Sequence, residues 1–255
     1  MEQAENSNLS PGSSQAKPRH WPRLLIVSVS SAVFWLAQYW YQYYVYEPGV
    51  FQTAWVRSHT LSGTTLLAAA LFLSIIFKFR PQLAGQWHWR RNLGVAGFIF
   101  IIFHVTGAMR FYFGLDYLNP WPAWRGIFFT WNPLENPVIF GLAAYPILIA
   151  MAATSSDWAV RKLKRWWKFL HRFVYLAEIF IVFHAVLMGG PVMKTPPGLL
   201  LYALGGVVIL GQIYWWFRIS RLRRFKNAGF WVGLGTILLA LILWYLAATL
   251  DALPN

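Results

Sequence analysis

Cysteine is missing from all 255 residues, which excludes disulfides, thiolate-held iron–sulfur clusters and covalent haem attachment through C-x-x-C-H. Any redox cofactor must then be held by other ligands, histidine first among them. Charge is scarce as well, at 12% of residues against the roughly 25% of an ordinary soluble domain. Acidic residues are scarcest, 8 against 22 Lys and Arg, so the formal net charge is +14. There is no internal repeat, none of the alternation of membrane strands, and no strand, Gly-rich turn and helix unit for a nucleotide. Glycine clusters such as Gly205-Gly206 lie in apolar stretches, so NAD or FAD chemistry would belong to another protein. The first 20 residues are polar, lack the apolar stretch of a signal peptide and read as a disordered tail, taken as 1–22.

What the chain has in quantity is apolar sequence: 58% of residues are hydrophobic and 19% aromatic. Runs of about 18 to 25 apolar residues recur, each long enough to cross a hydrocarbon core about 30 Å thick. Lipid satisfies no backbone hydrogen bonds, so the spans must be helices. The expected fold is an all-α polytopic membrane bundle with spans at 24–46, 59–79, 93–113, 137–153, 169–188, 199–217 and 230–250. Residues 23–228 form the bundle proper and 229–255 an additional C-terminal helix. Four groups of basic residues, before the first span, between the second and third, before the fifth and after the sixth, hold 17 of the 22 Lys and Arg. The alternate connections carry Arg57, Arg125 and Lys194, so the basic loops face the cytoplasm and the N-terminus is inside. Basic residues set between apolar spans are topology signals, not a nucleic-acid face. The aromatic loop Gly114 to Asn136 reads as an anchor at the outer headgroup level.

His104 in FIFIIFHVTG and His184 in LAEIFIVFHAVLM lie well inside apolar spans, where such side chains are costly and usually functional. A neutral histidine bonding to a neighbouring helix is the bland alternative. Arg91 to His104 is about 20 Å along a helix and Lys168 to His184 about 24 Å, so the two imidazoles reach similar heights from the same side. That arrangement suits one haem held between two helices. Zinc would want two further ligands at that level. His171 sits near the inner face, about 220° around the helix from His184, and cannot share its haem. Its open roles are a second haem, a flavin or quinone headgroup, or packing. Glu178 falls on nearly the same face as His171 and is a weak candidate for proton work. Arg91, Arg110 and Arg172 are candidates to offer positive charge to haem propionates, with snorkelling to the interface as the alternative. His59 is placed at the outer edge of the second span, and His88 and His20 lie outside the spans.

Three stretches, HTLSGTTLLAAALF, WRRNLGVAGFIFIIFHVTG and AMAATSSDWAVRKLKRWWKFLHRFVYLAEIFIVFH, resemble the ferric-reductase-like transmembrane family. The likeness is greatest to the haem-binding membrane subunits of bacterial methionine sulfoxide reductase systems, the MsrQ/YedZ type. It covers roughly His59 to Phe217 and implies a six-helix haem b core whose histidines fall on His104, His171 and His184. It further implies an inner membrane protein that takes electrons from a cytoplasmic flavin reductase or the quinol pool, with FMN or quinone as further cofactors. The implied acceptor is an extracytoplasmic reductase subunit that repairs oxidised methionine. Larger relatives carry two histidines in each of two helices; here Arg90 or Arg91 stands at the inner position of the third helix, which argues against a second haem. Beside this electron-transfer subunit stand two other readings of the residues, a self-standing membrane ferric or quinone reductase and a non-redox transporter or scaffold.

Overall fold

In hydrocarbon each helix closes its own backbone hydrogen bonds, and the order of helices then follows from where proline, glycine and charge interrupt the apolar runs. The computed structural model describes residues 21–116, 118–129 and 135–222. Among them there are helices and turns and no strand. The chain runs α1 (Trp21–Tyr41, extended by a π-helical turn Gln42–Tyr46), α2 (Phe51–Phe79), a 3-10 turn (Pro81–Gln86) and α3 (Trp87–Phe111). It continues through α4 (Trp121–Ile127), α5 (Val138–Ala153), α6 (Asp157–Leu163), α7 (Arg165–Leu170), a 3-10 turn (His171–Phe173) and α8 (Val174–Gly189). A 3-10 turn (Gly190–Lys194) then leads to α9 (Pro196–Leu222). The expected span 230–250 and the tail up to residue 20 lie outside the described residues.

Five described helical segments are long and apolar enough to cross a membrane: Trp21–Tyr46, Phe51–Phe79, Pro81–Phe111, Arg165–Lys194 and Pro196–Trp215. α5 and α6, bent by 97° at the break between them, form either a broken sixth span or a re-entrant loop. The protein is thus a multi-pass membrane helix bundle.

Local chemistry explains the boundaries. Pro81 pushes Arg80 out of the helical region, to φ −126° and ψ 75°, and α2 ends at Phe79. Pro48 and Gly49, the latter at φ 80°, turn the chain between α1 and α2. The Ser156 side chain accepts from the Ala159 N–H at 3.1 Å and caps α6, with Asp157 in its first turn. Lys164 at φ 48° then breaks α6 from α7. The fifth apolar run is therefore interrupted at its N-terminal end, and His171 stands in a 3-10 turn ahead of α8.

Two expected boundaries move. α2 starts at Phe51, eight residues before His59, so Arg57 is helical and pairs with Glu47 at 2.6 Å. His59 is thus buried in the helix, 3% exposed, instead of standing at its outer edge. The reason is that a span may extend through a charged residue whose partner is at hand. α3 likewise begins at Trp87, ahead of the expected start at residue 93, and takes in Arg90 and Arg91.

α2 and α3 form the most extensive helix pair, α5 packs on α8, and α9 packs on α2. The α2–α3 contact is a small-residue seam of the kind that lets membrane helices approach closely. A Cβ added at Gly97 would stand 2.8 Å from the Gly63 carbonyl oxygen, and one at Gly63 would stand 2.9 Å from Ile101 Cδ1. Farther out, a Cβ at Gly107 would meet the Trp55 ring at 2.8 Å. Because the clash at Gly97 is with backbone, the helices must separate to relieve it. Gly97→Val is expected to destabilise the bundle by about 1–3 kcal/mol, the usual cost of overpacking, read as a lower thermal midpoint in detergent.

Candidate functional site

The close α2–α3 seam sets His104 against the opposite helix. Its Nδ1–H donates to the Val56 carbonyl of α2 at 3.2 Å. On α8, the Nδ1–H of His184 donates to the Pro137 carbonyl at the start of α5, at 3.0 Å. A carbonyl only accepts, so each bond puts the ring proton on Nδ1 and leaves the Nε2 lone pair available. Gly141 makes room for this: a Cβ there would stand 3.2 Å from the His184 ring. The two imidazoles face one another with ring centres 6.2 Å apart and planes at 66°.

That separation suits a shared metal ion. A metal–nitrogen bond of about 2 Å and a further ~1 Å from nitrogen to ring centre, counted on both sides, give about 6 Å between centres. Metal-bound histidines ordinarily donate their other ring nitrogen to a carbonyl or carboxylate, as both do here. No group of three or more His, Cys, Asp or Glu able to hold a metal ion occurs among the described residues. The donor set thus fits a metal whose remaining ligands come from a macrocycle, and does not fit a four-ligand zinc site.

The other expected residues are not brought to this pair. His171 lies thirteen residues before His184, about 20 Å along the helix axis. It stacks on Trp167 with ring centres 4.1 Å apart, and its Nε2 lies 3.2 Å from the Thr154 hydroxyl. Since that hydroxyl donates to the Ala150 carbonyl at 2.7 Å, the His171 ring donates to its oxygen. Arg91 is paired with Asp157 at 2.5 Å and lies 5.0 Å from the Trp87 ring centre. Arg110 donates to the Leu115 carbonyl at 3.1 Å, and Arg172 is exposed. Glu178 lines a cavity of the bundle interior together with His171 and Arg90. His59 is boxed by Trp35, Trp55, Phe100 and Phe103, with its Nδ1 2.7 Å from the Trp55 carbonyl.

Sequence reading missed the residues that aim the two histidines. Val56 and Pro137 act through backbone carbonyls, which carry no residue-type signal. Gly141 acts by lacking a side chain.

Residues 60–183 match the family described as ferric reductase like transmembrane component. Curated relatives carry the name protein-methionine-sulfoxide reductase heme-binding subunit MsrQ. The one from Enterobacter sp. (strain 638) is 32% identical over 157 residues, 61% of this chain and 71% of the relative. The chain belongs to this MsrQ-type family of ferric-reductase-like membrane proteins. The relative from Agrobacterium fabrum is 32% identical over 144 residues, 55% of this chain and 60% of its own length. That from Bordetella parapertussis is 36% identical over 89 residues, 31% of this chain and 41% of the relative. The chain thus spans less than two thirds of these last two. The family match contains His104 and His171, begins one residue after His59 and ends one residue before His184.

Proposed function

We propose that this chain is a haem b-carrying electron-transfer subunit in which His104 and His184 supply the two axial nitrogens. The observation that carries the reading is the facing of two imidazoles, each with Nδ1 committed to a carbonyl and Nε2 available, on helices of a family whose named members are heme-binding subunits. A haem bound there supplies a one-electron carrier within the bilayer. The chain's own task is then to orient two rings, hold them in one tautomer and keep the pair among apolar side chains such as Ile101 and Phe183.

The direction of transfer rests on the basic loops. By the positive-inside rule they would face the cytoplasm, with the N-terminus inside, and the reading takes the membrane to be the inner membrane of the cell. The donor is then a cytoplasmic flavin reductase or a quinol, and the acceptor an extracytoplasmic reductase of oxidised methionine, as the relatives' name suggests. His171 lies near the inner surface, stacked on Trp167, between that surface and the histidine pair. It is the residue through which a donor at the inner face would be sensed. The basic residues of α6 and α7 would draw an acidic donor protein to the same face.

Three experiments test this reading. His104→Ala and His184→Ala are each expected to abolish the main haem absorbance in a reduced-minus-oxidised spectrum of purified protein, and unchanged spectra in both would refute the ligand pair. His171→Ala is expected to keep most of that absorbance and to slow reduction by a cytoplasmic donor in inverted vesicles, with dithionite reduction unchanged. Loss of all haem in that variant would mean the axial pair is misassigned. Reporters fused after residue 80 and after residue 194 are expected to behave as cytoplasmic and extracytoplasmic respectively; the reverse pattern overturns the orientation.

A further inference from the structure

Four of the chain's acidic residues, Glu47, Asp116, Glu135 and Asp157, stand at helix ends or in connections. Glu178 differs: it lies inside α8, in the apolar run LAEIFIVF, and lines the cavity of about 760 Å³ that runs through the bundle interior. Among the described residues its carboxyl has neither an ion pair nor a hydrogen bond. A carboxyl at such depth is costly as an unpaired anion, and ionisable groups facing a cavity within a membrane bundle commonly carry protons. The cavity also gives it a route to bulk water, because Asp157 and Arg161 line it too and are exposed at the surface.

The other polar groups around it hold their charge state. Arg90 of α3 and Arg161 of α6 line the same cavity, and a guanidinium stays protonated at any ordinary pH. Arg91 of α3 is paired with Asp157 of α6. Tyr175, one turn before Glu178 on α8, is hydrogen-bonded to Gln212 of α9, whose Oε1 accepts from Lys78 of α2 at 2.6 Å. Tyr145 of α5 and Tyr202 of α9 carry phenols, which ionise only in basic solution. Glu178 and His171 remain as the groups here whose charge can change near neutral pH. Distance separates these two. Glu178 is six residues before His184, about 9 Å along α8, whereas His171 is about 20 Å away. Coulomb energy falls with distance, so charge added at the His104–His184 pair acts about twice as strongly on Glu178 as on His171.

We propose that Glu178 is the proton acceptor coupled to electron transfer through this chain: its carboxylate takes a proton from water through the cavity when an electron reaches the His104–His184 pair, and returns it when the electron leaves. The inference rests on the haem reading of that pair. The donor loses one electron, an O–H bond forms at the Glu178 carboxylate, and the charge of the bundle interior is the same before and after. In apolar surroundings the added negative charge is little screened, so the proton follows it. The residue needed is one carboxyl without a fixed partner, close to the pair and reached from solvent, and Glu178 meets each condition.

The test is a potentiometric titration of the purified full chain, followed by haem absorbance across about pH 5 to 8. The midpoint is expected to fall as pH rises, by about tenfold in the reduction equilibrium over that range, or about 59 mV for one electron. Glu178→Gln, which keeps the shape and removes the titration, should give a midpoint independent of pH with the haem absorbance retained. Glu178→Asp should keep the pH dependence, and so should His171→Ala. Infrared difference spectra of reduced minus oxidised protein supply a second readout. A band of a protonated carboxyl should appear on reduction, shift in Glu178→Asp and vanish in Glu178→Gln. A wild-type midpoint that does not move with pH, or an unchanged slope and band in Glu178→Gln, would overturn the proposal. Loss of the slope in His171→Ala with Glu178 intact would assign the proton to His171 and also overturns it. Absence of haem absorbance from the wild-type protein would instead refute the reading of the histidine pair, and the coupling with it.

Discussion

An imidazole placed in hydrocarbon must find a partner for its N–H, and both deep histidines find one in a backbone carbonyl of a neighbouring helix. Those two bonds determine which nitrogen each ring offers and where it points. The rest of the arrangement serves them. The Gly63–Gly97 contact draws α2 and α3 together until Val56 lies opposite His104, and Gly141 lets α8 approach α5 until Pro137 lies opposite His184. A ring-centre separation of 6.2 Å accompanies two helix contacts, α2 with α3 and α5 with α8.

One cavity runs along much of the bundle interior, lined by Arg90, Arg91, His171 and Glu178 toward one end and by Ala185, Val186 and Met193 toward the other. Ile101 of α3, Leu148 of α5 and Ala177 of α8 form a buried cluster that ties these three helices together.

Resemblance and geometry agree on His104 and His184 and part company at His171. The family match includes His171, yet the structure gives that ring a hydroxyl partner and an indole stack of its own, about 20 Å from the other two. Its position is distinct from that of the facing His104 and His184 rings.

That the chain is a multi-pass helix bundle with two histidines deep in its apolar helices was legible from the sequence, because a bilayer imposes a length of about 20 apolar residues and penalises every buried polar group. Matched depth along two helices rising from the same side was enough to pair His104 with His184. The boundaries were less legible: α2 runs eight residues beyond the apolar pattern because Glu47 neutralises Arg57, a long-range pairing that hydropathy does not see. Tertiary structure alone decided which carbonyls aim the imidazoles, since backbone atoms are the same at every residue. It alone also brought Lys78 of α2 to Gln212 of α9, because which helix faces pack and which stay apart depends on contacts distant in the chain.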